Sequence, residues 1–272
     1  VCLIALAIGQ SQAWPLVLAS NRDEFFARPT LPLEPWRTFS GQRIVSGRDL
    51  QAGGTWLGLT DGGRVAMLTN VREPGSPVGA RSRGELPLAW LQSRRAAPDF
   101  FSDLDGSAYS GFNLLVGDTA TGTWHWASNR EASAHGLRPG WQQRSLPPGF
   151  YSLSNAFLDT PWPKALRLKS ALQRALLGGA DPAQALWAAL ADRSPAAPSE
   201  MPRTGIALET ERLLSSAWVS FPDGRYGTRA STLLMATPSA QGLSVRVQEK
   251  TWRPDGTHSL SAQELSWPRV RA

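Results

Sequence analysis

Residues 1–24 read VCLIALAIGQSQAWPLVLASNRDE. Residues 1–8 and 15–20 are apolar runs of strand length, and the polar, turn-prone Gly9-Gln10-Ser11-Gln12 lies between them. Two such runs joined in this way predict an antiparallel hairpin. Reflection about its midpoint, near Ser11 or Gln12, sets Cys2 opposite Asn21 or Arg22. Directly opposed side chains on one face have Cβ atoms roughly 4.5–5.5 Å apart. The hairpin therefore delivers a guanidinium, Arg22, and a carboxylate, Asp23, to the only thiol of the chain. Arg22 favours the thiolate, and Asp23 can hold an amine or the arginine in place.

A cysteine that leads its chain carries a thiol and a free α-amine, a nucleophile and a base on one residue. The amine has an ordinary pKa of about 7.7–8.0 and the thiol about 8.5, so both titrate close to neutrality. Threonine paired with a terminal amine is an activated nucleophile of this kind, and the logic extends to cysteine. Val1 blocks the amine of Cys2. A non-standard start codon read literally accounts for it, and the expectation is a mature chain that begins at Cys2. Against this stands the plainer reading, in which a lone cysteine is a small buried hydrophobe and Asn21-Arg22-Asp23-Glu24 a solvated turn.

Hydrophobic residues make up 42% of the 272 and charged residues 18%, which fits a globular core and excludes a disordered chain. The length suits one large domain or two small ones, and with no repeat or linker in view a single domain over 1–272 is expected. The net charge is +6, but only three of the 28 basic residues are lysine (Lys164, Lys169 and Lys250), a bias that a GC-rich bacterial genome produces. The arginines are scattered, without the basic clusters and interleaved aromatics of a nucleic-acid interface. One cysteine excludes an internal disulfide and a cysteine-rich metal site, and His125, His135 and His258 lack metal-ligand spacing. The N-terminal apolar run lacks a basic flank and cleavage site and falls short of the roughly 20 residues of a spanning helix. A soluble, cytoplasmic protein is expected.

Beyond the first hairpin, the proline-bearing residues 28–40 read as an irregular loop. Gly53-Gly54 reads as a turn ahead of a second hairpin, residues 55–60 and 64–70 around Asp61-Gly62-Gly63. Ser82-Arg83-Gly84-Glu85 has capping-box spacing and predicts a helix to about Ser93. Residues 112–117 and 123–127 form a third hairpin, and 151–155 another short strand. Thr160-Pro161 and Asp181-Pro182 read as helix starts, with Leu168, Leu172 and Leu176 on one face of the first helix. A proline-rich surface loop over 193–204 precedes strands at 230–237 and 243–252. Strands, a helix, more strands, two helices and final strands predict an α+β sandwich rather than a doubly wound sheet.

Eight pieces in order carry a resemblance: Cys2, ASNRDEFFARP (19–29), GGTWLG (53–58), Thr69-Asn70, RGEL (83–86), GFNL (111–114), YSLSNAFLDTPW (151–162) and YGTRAST (226–232). They span nearly the whole chain, which resembles the NRDE, or transport and Golgi organisation 2-like, family. That family looks like the N-terminal-nucleophile hydrolases and is similar within them to the choloylglycine hydrolase and penicillin V acylase group. The resemblance implies a four-layer αββα fold of two stacked antiparallel sheets flanked by helices. It also implies cleavage or transfer of linear amide (C–N) bonds by a terminal cysteine through a thioester, with no cofactor. The site residues it implies are Cys2, Arg22, Asp23, Asn70, Asn155 and Arg229. Asn70 is the oxyanion-hole candidate, because a side-chain amide can meet the charge that acyl transfer builds on oxygen. Asn155 would orient the α-amine or share that hole, and Arg229 would steady the charged cluster.

Most of the twelve tryptophans are expected to pack in the core or line a cleft; a tryptophan-lined cleft suits apolar ligands, so the expected substrate is a small molecule with an apolar acyl part. The rival reading, also implied by the resemblance, is a binding or trafficking protein for haem, lipid or acyl-CoA on the same scaffold. His125 is its only local support, and a solvent-facing strand position is the plainer account of that residue. A glutamine-amidotransferase-like domain is a third reading, and it requires a synthetase partner outside this chain.

Overall fold

The apolar run at the start of the chain is buried on both faces. Leu3, Ala5 and Ala7 pack with Leu168, Leu172 and Leu186, while Ile4, Leu6 and Ile8 pack with Leu57, Leu59, Val65 and Met67. Period-two alternation therefore sorts small side chains and leucine toward one layer and larger branched ones toward another. That is the pattern of a central strand between a helical layer and a second sheet.

The computed structural model describes residues 2–133 and 136–268. Its strands are β1 (Cys2–Ile8), β2 (Leu16–Phe25), β3 (Thr30–Arg37), β4 (Arg43–Asp49), β5 (Leu57–Thr60), β6 (Arg64–Asn70), β7 (Phe112–Asp118), β8 (Thr123–Ser133), β9 (Gly136–Ser145), β10 (Gly149–Leu153), β11 (Tyr226–Ser239), β12 (Gly242–Trp252) and β13 (His258–Pro268). Its helices are α1 (Glu85–Gln92), α2 (Ala97–Ser102), α3 (Pro163–Leu177), α4 (Ala183–Leu190) and α5 (Leu208–Leu213). One sheet runs β10-β1-β2-β11-β12-β13 and the other β3-β4-β5-β6-β7-β8-β9, with antiparallel pairing throughout. Helices α3 and α4 cover the outer face of the first sheet, and α1 and α2 cover that of the second. Tyr151, Leu234 and Val247 meet Val45, Leu115 and Trp124 between the sheets. The layers are αββα, as the resemblance implies.

The structure corrects the sequence reading at several elements. Residues 28–40 are not an irregular loop, since β3 occupies most of them. It lies at the sheet edge, where Pro32 and Pro35 can stand without removing a central ladder bond, and its register shifts between Leu31 and Glu34. The capping box does not form. Gly84 is the N-cap of α1 with no side-chain cap, while Glu85 pairs with Arg81 at 2.5 Å and accepts from the Tyr109 hydroxyl. Helix α3 starts at Pro163, and Thr160 instead accepts from the Phe157 amide at 3.1 Å. The strand expected over 151–155 ends at Leu153, which leaves Ser154 and Asn155 in the following turn.

Candidate active site

The first hairpin has the register its sequence predicts: Cys2 pairs with Arg22. Alternation along β2 then divides the four residues of the Asn21–Glu24 stretch between two faces. Arg22 shares the inter-sheet side with Leu16 and Leu18, and Asn21 follows Val17 and Ala19 toward the helices. Asn21 is fully buried there. Its Nδ2 donates to the carbonyls of Leu190 and Ala217, both at 2.8 Å, and its Oδ1 accepts from Ser231 at 2.7 Å. Asn21 thus ties β2 to the helical layer and to β11.

Cys2 is half-buried at the floor of an open cavity of about 330 Å³. Its wall includes Arg22, Asp23, Glu24, Trp56, Asn70 and Arg83. Burial pushes the Cys2 thiol above its ordinary range, and the positive charge of Arg22 pulls the other way. The Arg22 guanidinium lies 4.1 Å over the Trp56 ring and 3.6 Å from Glu24, and its Nη1 is buried without a hydrogen-bond partner among the described residues. Glu24 in turn reaches Arg28, which holds Asp49 at 2.7 Å. Trp56 is the only tryptophan on this wall among the described residues, where arginine and carboxylate side chains predominate.

Asn70 comes from the other sheet. It ends β6, and three hydrogen bonds fix that end to the turn after β10. Thr69 Oγ1 donates to the Ser154 carbonyl at 2.6 Å, Asn155 Nδ2 to the Asn70 carbonyl at 2.8 Å, and Asn113 Nδ2 to the Ala156 carbonyl at 2.6 Å. Ser154 Oγ also donates to the Cys2 carbonyl at 2.9 Å. The Asn70 side chain itself makes no hydrogen bond among the described residues and lines the cavity beside Cys2. Asn155 spends its donor on backbone and lines the adjoining cavity with Arg72 and Arg83, apart from Cys2.

Asp23 is buried on the helix side of β2 and accepts from Thr228 Oγ1 at 2.6 Å. Burial raises its pKa, and the charge of Lys164 opposes the rise. Lys164, in the first turn of α3, is 1% exposed, and its Nζ has no hydrogen-bond partner among the described residues. Burial lowers its pKa to about 8 against the pull of Asp23. Sequence reading gave this lysine no role. The available signal was a cation at a helix N-terminus, where the macrodipole disfavours it. Arg229 does not join the cluster. It stands at a β-bulge opposite β2, a device that re-aims a side chain. From there it donates to the carbonyls of Phe25 and Arg28, at 3.2 and 2.5 Å, clamping the turn after β2.

The Gly53-Gly54 pair does more than turn the chain. Gly53 has φ +74°, but a Cβ on Gly54 would sit 2.3 Å from the backbone of Gly84. That close approach, with Thr55 N–H donating to the Gly84 carbonyl at 2.9 Å, seats Arg83 on the cavity wall. Of the histidines, His125 is half-buried on β8 with its ring edge-to-face with Phe101, His258 packs against Trp252 at a tilt, and His135 lies outside the described residues. Among the described residues there is no cluster of three or more metal-binding side chains, and no helix is long and apolar enough to cross a membrane.

An αββα sandwich with a cysteine opening into a cleft from the start of its first strand defines the class, an N-terminal-nucleophile-hydrolase-like fold. The chain belongs to the Transport and Golgi organisation 2 family, whose model matches residues 1–254. It is 33% identical over 236 residues to the Transport and Golgi organization protein 2 homolog of Bos taurus, covering 82% of each chain. The Homo sapiens homolog matches at 33% over 234 residues with the same coverage. Among solved structures, the Caenorhabditis elegans N-acylethanolamine-hydrolyzing acid amidase ortholog aligns with a TM-score of 0.51 at 13% identity, covering 86% of this chain and 92% of that one. At that identity the likeness shows the fold.

Proposed function

We propose that this protein cleaves or transfers linear amide bonds, with Cys2 as nucleophile. The observation that carries the reading is a sulfur set across from Arg22 on the floor of an open cavity whose wall presents the uncommitted amide of Asn70. In a chain that begins at Cys2, the α-amine accepts the thiol proton as the sulfur attacks the amide carbon. The carbonyl oxygen becomes an oxyanion and accepts from Asn70 Nδ2–H. Collapse breaks the C–N bond, the α-ammonium protonates the departing amine, and a thioester remains. Water, or another nucleophile, then releases the acyl group and restores the thiol. Arg22 stabilises the sulfur anion, and Asp23 holds the amine from the helix side of β2. Asn155 acts as a positioning residue through the Asn70 backbone, and Arg229 through the turn after β2.

The bond class follows the name of the amidase relative in fold. The acyl part has a place as well. A groove of about 770 Å³ lined by Phe101, Leu104, Tyr109 and Trp141 shares the wall Val78–Gly79–Ala80 with the Cys2 cavity.

The test is protein prepared with Cys2 as its first residue, confirmed by intact mass. It is incubated with N-acyl amines and N-acyl amino acids of graded chain length. Amine release together with an acyl adduct on Cys2, both lost in Cys2→Ala, is the expected result. Undiminished turnover in Cys2→Ala, or neither adduct nor amine with any of the panel, refutes it.

A further inference from the structure

Three of the four arginines described on the cavity wall already hold a carboxylate. Glu24 lies between Arg22 and Arg28, Asp49 holds Arg28, and Glu85 holds Arg81. Arg83 has no carboxylate within salt-bridge distance among the described residues. One of its nitrogens, Nη1, donates to the Gly111 carbonyl at 3.1 Å, and the half-buried guanidinium stands on the wall that the Cys2 and Asn155 cavities share. The residue is built into place: its carbonyl accepts from the Leu86 amide as α1 begins, and Gly84 is pressed against Gly54. A guanidinium fork held by one nitrogen, with no carboxylate in ion-pair contact among the described residues, is suited to bidentate recognition of an oxyanion.

We infer that Arg83 is a specificity residue that binds an anionic group, a carboxylate or phosphate, on the substrate, so that the preferred amide is acidic rather than neutral. The inference rests on the reading of the cavity as a substrate site. Burial lowers the pKa of Arg83, and the nearness of Cys2 acts in the opposite direction. Arg83 and Cys2 line the same cavity, so an anion held by Arg83 shares that cavity with the reacting sulfur. Together with the apolar groove, this describes an amphiphile such as an N-acyl amino acid.

Two measurements test it. In the first, Cys2→Ala protein is titrated by calorimetry with N-octanoylglycine and with the neutral N-octanoylglycinamide. The acid should bind at least tenfold more tightly. Arg83→Gln should abolish the preference, Arg83→Lys should keep part of it, and Arg246→Gln, whose partner is Glu264 away from the cavity, should leave it within twofold. Equal affinity for acid and amide, or affinity for neither, overturns the inference. Inorganic phosphate displacing the acid better than acetate does would assign a phosphate-bearing substrate, and the reverse a carboxylate.

In the second, Cys2 in protein led by that residue is alkylated with iodoacetate and with iodoacetamide. A change in thiol pKa moves both rates alike, so their ratio reports anion recruitment alone. The ratio should fall about tenfold in Arg83→Gln. An unchanged ratio counts against Arg83, whereas a Cys2 inert to both reagents counts against the nucleophile and leaves the calorimetric result standing.

Discussion

Replacing Lys164 by methionine should change how stability depends on pH. The ammonium of Lys164 is buried without a hydrogen bond, and its pKa falls from 10.5 to about 8. That fall corresponds to about 3 kcal/mol between the two protonation states. Below pH 8 both folded and unfolded chains hold the proton, and the folded state carries the full penalty of a charge in an apolar layer. Between about 8 and 10.5 the unfolded chain still holds the proton and the folded one has lost it, so stability rises with pH, by up to about 3 kcal/mol. Lys164→Met removes this gain. Urea denaturation of both proteins at several values from pH 7.5 to 10.5 measures it. Taking the difference between the two cancels Tyr109 and Tyr226, whose raised pKa values act on both. The stability of the variant relative to the parent should fall by about 3 kcal/mol across the range. Parallel curves would refute the placement of a charged Lys164 beside Asp23.

Asn21→Ala strands two buried carbonyls and Ser231, and at about 1–3 kcal/mol per unsatisfied group it should lower stability by roughly 3 kcal/mol or more. In molecules that remain folded, Cys2 should still alkylate with iodoacetamide at close to the parental rate, and a selective loss of that labelling contradicts the helix-side role. Asn70→Ala should reduce amide turnover about a hundred- to a thousand-fold while iodoacetamide labelling persists, as single-turnover kinetics with an activated acyl amide can show. Gly54→Ala forces apart the Gly54–Gly84 contact and should cost about 1–3 kcal/mol in thermal or urea denaturation. The same variant should lower the iodoacetate-to-iodoacetamide ratio by displacing Arg83, and a parental ratio would show that the contact does not seat that residue.

What the sequence displayed was set by burial. Strands β1 and β2 are central, so both carry unbroken apolar runs, and the polar turn between them left one register that buried both. Cys2 opposite Arg22 followed directly. Three of the four edge strands give no such signal. Strand β3 carries two prolines, β9 is exposed along nearly its whole length with Pro139 inside it, and β13 is mostly polar. Residues 28–40 therefore look like a loop in sequence, and β9 and β13 carry no strand pattern. The site divides in the same way. Asn70 and Asn155 were legible as residues closing strand-like runs, but that one amide faces the cavity and the other holds its neighbour's backbone depends on a contact between sheets. Lys164 and Arg83 were hidden because a cation's burial or lack of a counter-ion is a tertiary property. Arg229 read as part of the cluster because no local pattern marks the bulge that turns it away.

The sulfur sits on one sheet and the Asn70 amide on the other, joined at this end by the short bonds among Thr69, Ser154, Asn113 and Asn155. In the proposed mechanism neither half of the sandwich holds the reacting geometry alone, and a slip of an ångström or so between layers would separate donor from acceptor while leaving every ladder intact. On gentle heating, chemical competence should therefore fade before circular dichroism registers any loss of strand.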